Sequence, residues 1–282
     1  MKFIHLTDPH LVPAPRRLYA LDPRERLRAA VADIARGHGD AAFAVITGDL
    51  VHFGEPSAYE ELRRILADLP IPCHLAIGNH DERAAFRTAF PEVPCDEDGF
   101  VQYVAVGDEA DLVVLDSVVP GSGGGALCER RLAWLEARLA ERGGRALIVA
   151  VHHAPCDIGI PAMDRIKLAE SARLAELLRR HGGVRHILFG HVHRAVSGSW
   201  RGIPFSTLPA TAHQVALQFA EPELTPGSHE PPAYGVGLFD GMNLVMHQQA
   251  YLDDSARFIL DDPAAAAAHD IDELTARAKA AG

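Results

Sequence analysis

Short apolar runs alternate along most of the chain with longer segments that carry apolar residues at helical spacing, and this alternation restricts the possible fold more than any other feature. Candidate strands cover residues 2–6, 42–47, 73–77, 112–115, 146–151 and 186–189. Candidate helices cover residues 22–36, 56–69, 82–90, 129–141 and 168–181. Strands that alternate with helices predict an α/β fold, with a parallel or mixed sheet covered by helices on both faces.

The character of the sequence changes past Trp200, where strand-like segments flank a Pro/Gly-rich stretch at 221–235. These segments cover residues 204–208, 213–219, 234–239 and 244–251. They predict either strands added to a sheet edge or a small β subdomain. We therefore expect a main domain over 1–215 and a β-rich extension with a tail over 216–282, packed on the main domain or used in dimerisation. The tail from residue 253 onward predicts a short helix or a frayed end.

The charge balance argues against large anionic partners. With 27 Lys and Arg against 38 Asp and Glu, the formal net charge is −11. Such a chain lacks the broad basic face that nucleic acid polymers and anionic membranes select, whereas small anions remain compatible. The sequence has no apolar run long enough to span a membrane, and its first ten residues lack the apolar core of a secretion signal. These features predict a cytoplasmic protein.

Polar residues of the metal-ligand type follow five candidate strands, each at the carboxyl end. In open α/β sheets this edge is where ligands bind. Each motif is weak alone, because Gly-Asp and Asp-X-His are ordinary turn sequences. The ordered set predicts a metal site, and its imidazole and oxygen donors favour transition metals over Mg²⁺ or Ca²⁺. The motifs are Asp8-Pro9-His10, Gly48-Asp49, Gly78-Asn79-His80-Asp81, His152-His153 and Gly190-His191-Val192-His193.

This set resembles the signature of the calcineurin-like metallophosphoesterases, which reads DxH, GDxx, GNHD, H and GHxH. Segments 18–20, 162–164 and 206–215 further resemble the glycerophosphodiesterase of the class III cyclic-nucleotide phosphodiesterase subfamily. The resemblance implies a four-layer αββα sandwich with a C-terminal β-rich extension. It also implies a metal-dependent hydrolase of small phosphodiesters, either glycerophosphodiesters or 3′,5′-cyclic nucleotides.

By the same resemblance the chain holds two divalent ions of the Fe, Mn, Zn or Co type, with Asp49 between them. One ion is assigned to Asp8, His10, Asp49 and His193, and the other to Asp49, Asn79, His152 and His191. A hydroxide that bridges the ions is the implied nucleophile. His80 is implied to stabilise the transition state or to protonate the leaving alkoxide, so that Asp49 and His80 are the catalytic residues.

Several assignments stay open on the sequence alone. Pro155 favours His152 over His153 as the ligand, because the family pattern places the ligand three residues before the proline. His153 is then expected either to support a ligand or to lie on the substrate side of the site, and Asp81 is expected to orient the loop or a ligand imidazole. Substrate contacts are expected from His80, Tyr19 and His213. The alternative is that Tyr19 packs at a loop base and that His213 begins an edge strand. His52, His74 and His186 match no ligand position and are expected at the surface or paired within the fold.

Other functions compete with this interpretation. A cyclic AMP-specific phosphodiesterase, a phosphomonoesterase and a metal-binding scaffold without catalysis would each use the same fold. The scaffold is disfavoured because every ligand position and His80 are present. Exposed strand edges after Trp200, together with the resemblance, predict a homodimer or larger assembly.

Overall fold

The computed structural model describes residues 1–261, 263, 267–268, 270–272 and 275. One compact unit spans Met1–Tyr251, and Leu252–Gly282 form a second unit. Within that second unit, residues 252–261 form neither helix nor strand. The short helix or frayed end predicted from residue 253 onward lies partly outside the described residues, and the domain boundary after residue 215 stays a prediction.

Strands and helices follow one another in near alternation up to the end of the sixth helix. The strands are β1 (Lys2–Leu6), β2 (Phe43–Thr47), β3 (Cys73–Ala76), β4 (Tyr103–Ala105), β5 (Asp111–Leu115), β6 (Leu147–Val151), β7 (Val184–Leu188), β8 (Val196–Trp200), β9 (Ile203–Thr207), β10 (Gln214–Val215), β11 (Gly227–Ser228), β12 (Tyr234–Phe239) and β13 (Leu244–Gln249). The helices are α1 (Pro23–Gly37), α2 (Pro56–Leu66), α3 (Arg83–Ala89), α4 (Glu129–Arg142), α5 (Pro161–Asp164) and α6 (Ala172–His181).

The strands form two large mixed sheets and one small ribbon. The first sheet has the order β13-β12-β1-β2-β3, with β1, β2 and β3 parallel and β12 antiparallel to β1. The second has the order β4-β5-β6-β7-β9-β8, with β5, β6, β7 and β9 parallel. Strands β10 and β11 pair separately. Parallel strands bring their carboxyl ends to the same edge, which is how each sheet gathers its loop residues in one place.

The two sheets pack face to face, because both faces of their central strands are apolar. In β6, Ile148 and Ala150 join the core shared with the first sheet, whereas Val149 and Val151 point to the opposite core. Helices α1 to α3 contribute to the first core, and α4 and α6 to the second. The order of layers is helices, sheet, sheet, helices, which confirms the αββα sandwich implied by the resemblance. The single sheet with helices on both faces, predicted from the alternation of elements alone, is wrong, because the strands divide between two sheets that each have helices on one face only.

Most predicted elements are present, and the differences lie at edges. Strands β4 and β8 are not among the predicted strands, and the predicted strand at 213–219 is reduced to β10. Strand β8 is polar and forms a hairpin with β9 through Arg201 and Gly202, both with left-handed backbone. The later strands extend the sheets: β9 joins the second sheet, while β12 and β13 extend the first. Among the described residues, no helix is both long and apolar enough to cross a membrane.

The buried histidine on β7 predicts an acid sensitivity of the fold. Burial lowers the pKa of His186 to about 4, whereas an unfolded histidine titrates near pH 6.5. Between these values the unfolded chain binds a proton that the folded chain excludes, so stability falls as the pH falls through this window. His186 contacts Ser206 at 2.8 Å, and the amide of H186Q can still form this hydrogen bond. On acidification, we therefore expect the free energy of unfolding to fall less in H186Q than in wild type, by up to about 3 kcal/mol.

Urea unfolding of both proteins at about pH 7.5 and about pH 4.5 measures this difference. Ligand histidines are common to both proteins, so their titration cancels in the comparison. Equal losses of unfolding free energy in the two proteins would contradict the assignment to His186.

Candidate metal centre

The loops that follow β1, β2, β3, β6 and β7 meet at one place and carry all seven residues expected to bind metal. Five of these residues have a left-handed backbone, which non-glycine residues rarely adopt. Strain of this kind concentrates at functional sites, where the surrounding structure holds it. The five are Asp8 (φ 51°), His10 (45°), Asp49 (49°), His191 (70°) and His193 (49°).

Glycines in the motifs allow these loops to pack directly against ligand side chains. A Cβ on Gly78 would collide with the Asp49 carboxylate and with the Asp49 backbone nitrogen. A Cβ on Gly190 would collide with the Thr7 hydroxyl and would lie 2.8 Å from Asp8 Oδ2. Glycine is therefore required at both positions, because side chains from the loop after a neighbouring strand approach the backbone closely.

Four buried side chains form the first group of donor atoms. His193 Nε2 lies 3.3 Å from Asp8 Oδ1 and 3.0 Å from His10 Nε2. His10 Nε2 in turn lies 3.4 Å from Asp49 Oδ2. One donor atom from each of the four residues lies within 4.8 Å of the others. This arrangement brings two carboxylates and two imidazoles to a single point.

A second group forms around His152 and shares Asp49 with the first. His152 Nε2 lies 3.0 Å from Asn79 Oδ1 and 3.2 Å from His191 Nδ1. It also lies 3.4 Å from Asp49 Oδ1. The two carboxylate oxygens of Asp49 thus face different groups, Oδ2 the first and Oδ1 the second. A side chain that bridges two ions would have this position.

The hydrogen bonds behind the imidazoles show that these donor sets fit metal ions. The Nδ1–H group of His152 donates to the carbonyl of Thr47 at 2.8 Å, and that of His193 donates to the carbonyl of His213 at 2.7 Å. With the protons on Nδ1, the Nε2 lone pairs point at the cluster. With both rings neutral, the Nε2 lone pairs of His10 and His193 would face each other at 3.0 Å, an arrangement that a divalent cation between them stabilises.

The electrostatics of the cluster keep most donors in the form that binds metal. Burial alone would raise the pKa of Asp49, but His152 and His10 hold it well below its usual value. Burial lowers the pKa of His10 well below its usual value and that of His191 to about 3. His152 and His193 are the exceptions. At His152 the attraction of Asp49 outweighs burial and raises the pKa to about 9, and at His193 the attraction of Asp8 outweighs burial and raises the pKa. A metal ion that binds His152 at neutral pH must therefore displace a proton.

Asp81 connects the two loops that carry Asp49 and Asn79. Its carboxylate accepts hydrogen bonds from the backbone N–H groups of Leu50, Val51 and Gly78, and from the Tyr59 hydroxyl. Burial and the charge of Asp49 raise its pKa to about 7. Asp81 thus contacts the loop backbones and not a ligand imidazole. Of the two orienting roles expected from the sequence, the geometry supports the loop.

The two adjacent histidines after β6 have different surroundings. His152 points into the donor cluster, whereas His153 Nδ1 lies 2.7 Å from Ser117 Oγ and Nε2 lies 3.3 Å from the carbonyl of Gly123. The ring of His153 packs 4.7 Å from that of His191. These contacts favour His152 as the ligand and give His153 a supporting position.

His80 lies at the edge of the first group, and its Nε2 has no hydrogen-bond partner within the part of the chain that the structure describes. Its backbone N–H donates to Asp49 Oδ1 at 2.9 Å, and its Nδ1–H donates to the carbonyl of His52 at 2.8 Å. The ring lies 4.8 Å from that of His10. Nε2 is therefore the nitrogen available to a bound substrate.

Tyr19 and His213 form one wall of an adjoining cavity of about 560 Å³. Their rings lie 4.5 Å apart, and the His213 ring lies 4.7 Å from that of His193. Tyr19 is 60% exposed, so it is not a packed loop base. The other residues lining the cavity come from 214–215 and 225–229.

His52 is the site residue that sequence reasoning missed. Its Nδ1 lies 3.0 Å from His10 Nδ1, and its ring stacks on that of His80. The available signal was its position three residues after Asp49 in the same loop. His186 does pair within the fold, and His74 packs between Phe43 and Tyr103.

The fold and the cluster agree with the comparisons to known proteins. The family model described as calcineurin-like phosphoesterase matches residues 1–195. The chain belongs to the calcineurin-like phosphoesterase family, as its motifs predicted. Among solved structures, a dimetal phosphatase from Danio rerio has the same fold, with a TM-score of 0.68 at 16% identity, covering 89% of this chain and 96% of that one.

Two curated relatives are similar over most of their length. A probable cyclic nucleotide phosphodiesterase of Rhodopseudomonas palustris is 46% identical over 268 residues, which are 94% of this chain and 98% of the relative. A glycerophosphodiester phosphodiesterase of Enterobacter lignolyticus is 32% identical over 220 residues, which are 76% of this chain and 79% of the relative.

Proposed function

We propose that the chain is a metal-dependent phosphodiesterase that hydrolyses small phosphodiesters to a monoester and an alcohol. The observation that carries the proposal is Asp49, whose two oxygens face two separate groups of imidazole, carboxylate and amide donors. The family and the names of the two relatives support the same chemistry.

The proposed cofactor is a pair of divalent transition-metal ions of the Fe, Mn, Zn or Co type. Four of the seven proposed ligands are histidines, and imidazole suits these metals better than it suits Mg²⁺ or Ca²⁺. Asp8, His10 and His193 would hold one ion with Asp49. Asn79, His152 and His191 would hold the other ion with Asp49.

The chain's own residues would then act on the substrate from defined positions. The chemistry that the ion pair supplies when bound is Lewis acidity, which activates a water and offsets the charge that develops on phosphorus. His80 would hold a proton on Nε2 and donate it to the departing alkoxide, since its Nδ1 is occupied by the His52 carbonyl. Tyr19 and His213 would orient the alcohol portion in the cavity that they line.

A diester fits this site better than a monoester. Binding of a phosphate dianion commonly requires an additional cation beside the site. Arg83, which follows the GNHD motif by two residues, is already bonded to Asp116 at 2.8 Å through two nitrogens. It is therefore engaged within the fold, which supports the phosphodiesterase over the phosphomonoesterase.

Two substrate classes fit the proposal, and the relatives favour one. The similarity of segments 18–20 and 206–215 to the glycerophosphodiesterase favours glycerophosphodiesters. The relative that matches 94% of the chain at 46% identity is named for cyclic nucleotides, whereas the one named for glycerophosphodiesters matches 76% at 32%. We therefore propose 3′,5′-cyclic nucleotides as the leading substrates and glycerophosphodiesters as the second class.

A substrate panel on metal-reconstituted protein tests this order. We expect kcat/KM for cyclic AMP to exceed that for glycerophosphoethanolamine, with p-nitrophenyl phosphate hydrolysed more slowly than bis(p-nitrophenyl) phosphate. A ratio that heavily favours glycerophosphoethanolamine would reverse the order of the two classes. Preference for the monoester would contradict the phosphodiesterase itself.

The remaining expectations are proposals of the same kind. A homodimer or larger assembly is supported by β13, which forms an edge of the first sheet and exposes Val245. The division into residues 1–215 and 216–282 and a cytoplasmic location stay predictions from the sequence. The net charge of −11 supports the absence of a nucleic acid or membrane partner.

A further inference from the structure

An imidazole outside the proposed ligand set connects the metal centre to the proposed proton donor. His52, in the loop after β2, is half-buried and lies between His10 and His80. Its Nδ1 lies 3.0 Å from His10 Nδ1 on one side. On the other side its ring stacks on His80, with centroids 4.6 Å apart and an angle of 21° between the planes.

The position of the proton between His10 and His52 follows from the donor cluster. His10 Nε2 points at His193 and at the Asp49 carboxylate, so it must keep its lone pair to bind a cation. The proton of His10 is then on Nδ1, and the atom facing it is His52 Nδ1. His52 must therefore accept through Nδ1 and carry its own proton on Nε2.

This contact differs from those of two other ligand imidazoles. His152 and His193 donate to backbone carbonyls, which no substitution removes. His10 instead donates to a side chain, so its orientation depends on the residue at position 52. Partners of this kind fix the ring orientation and raise the basicity of a metal-binding histidine.

The same three imidazoles do not form a good third metal site. Nδ1 of His80 is occupied by the carbonyl of His52. His10 would have to give up the proton on Nδ1 while Nε2 binds another ion, and a neutral imidazole offers only one lone pair. The donor and acceptor arrangement therefore favours a hydrogen bond between His10 and His52.

We infer that His52 is a positioning residue with two separable contacts: its Nδ1 orients His10 toward metal, and its ring holds the imidazole of His80 in place. The inference rests on the proposed metal centre but not on the identity of the substrate. Its first readout is therefore metal affinity, measured without turnover.

Two substitutions separate the contacts. H52N places an amide oxygen near the position of Nδ1, so it retains an acceptor for His10 but removes the ring. H52F retains a ring against His80 but removes the acceptor. H247F, at an exposed position of β13, is the control for replacing a histidine with phenylalanine. Mn²⁺ titration of metal-free protein with a competing chelator gives the affinity of each site, and kcat is then measured at saturating Mn²⁺.

We expect H52F to bind one of two Mn²⁺ ions roughly 10- to 100-fold more weakly than wild type, while H52N and H247F retain both affinities. At saturating Mn²⁺ we expect kcat to be lower in H52N than in H52F. Unchanged affinity in H52F would overturn the inference, as would equal weakening in H52N and H52F. If wild type binds a third ion that H52F and H52N do not bind, His52 is a metal ligand and the inference is wrong. Wild-type protein that binds two ions but cleaves no diester would contradict the proposed function and leave this inference standing.

Discussion

Replacing Asp49 with alanine is expected to lower kcat/KM by roughly 10³-fold or more, the upper range for losing one preorganised electrostatic group. The protein should also fail to hold two ions together. The reason is geometric, because Asp49 Oδ1 and Oδ2 each lie 3.4 Å from a ligand nitrogen of a different group. Its Oδ1 also accepts the backbone N–H of His80, so the loop with the proposed proton donor loses a contact as well.

Metal analysis of the purified variants and kcat/KM on bis(p-nitrophenyl) phosphate measure both effects. D49N keeps the shape of the side chain but loses the charge and one oxygen acceptor, so we expect it to resemble D49A in metal content. D68A, at an exposed carboxylate after α2, is the control and should match wild type. Two tightly bound ions and wild-type turnover in D49A would show that Asp49 does not bridge.

Replacing His80 with alanine is expected to leave metal content unchanged and to lower turnover by about 10²- to 10⁴-fold, the usual range for a general acid. The size of the loss should depend on the leaving group. An alkoxide requires a proton as it departs, whereas p-nitrophenolate is stable without one. We therefore expect a large loss with cyclic AMP or glycerophosphoethanolamine and a small one with bis(p-nitrophenyl) phosphate.

Rates on both kinds of substrate, with metal content measured in the same preparations, test the role of His80. H247A at an exposed position should change neither quantity. Equal losses on both substrates would indicate that His80 binds the phosphoryl group and donates no proton. Wild-type rates on the alkyl diesters would remove His80 from the mechanism.

The central strands were predictable because their pattern is local. Strands β2 and β6 are buried on both faces, so they read as continuous apolar runs whatever surrounds them. Strand β8 was not predictable, because Ser197, Gly198 and Ser199 carry no apolar signal and form a strand only by pairing with β9. Edge strands depend on their partner more than on their own sequence.

The candidate ligands were predictable for a topological reason. Parallel strands deliver the residues that follow them to one edge of their sheet, so the order of the motifs predicted that Asp8 and Asp49, which follow β1 and β2, lie close together. His152 follows β6 of the other sheet, and its place beside Asp49 results from the packing of the two sheets. The position of His52 was not predictable, because it depends on how the loop after β2 turns. Gly48-Asp49 indicates a turn, and Asp49 has a left-handed backbone, but a turn sequence does not specify where the residues after it lie.

The central claim is that two metal ions bound by this cluster make the chain a phosphodiesterase. The most direct test is to remove metal with a chelator, return Mn²⁺ in steps, and record bound metal and bis(p-nitrophenyl) phosphate hydrolysis on the same samples. We predict no hydrolysis without metal, binding of two ions per chain, and activity that requires the second ion. Hydrolysis that persists without metal, or protein with two bound ions and no hydrolysis, would contradict the account.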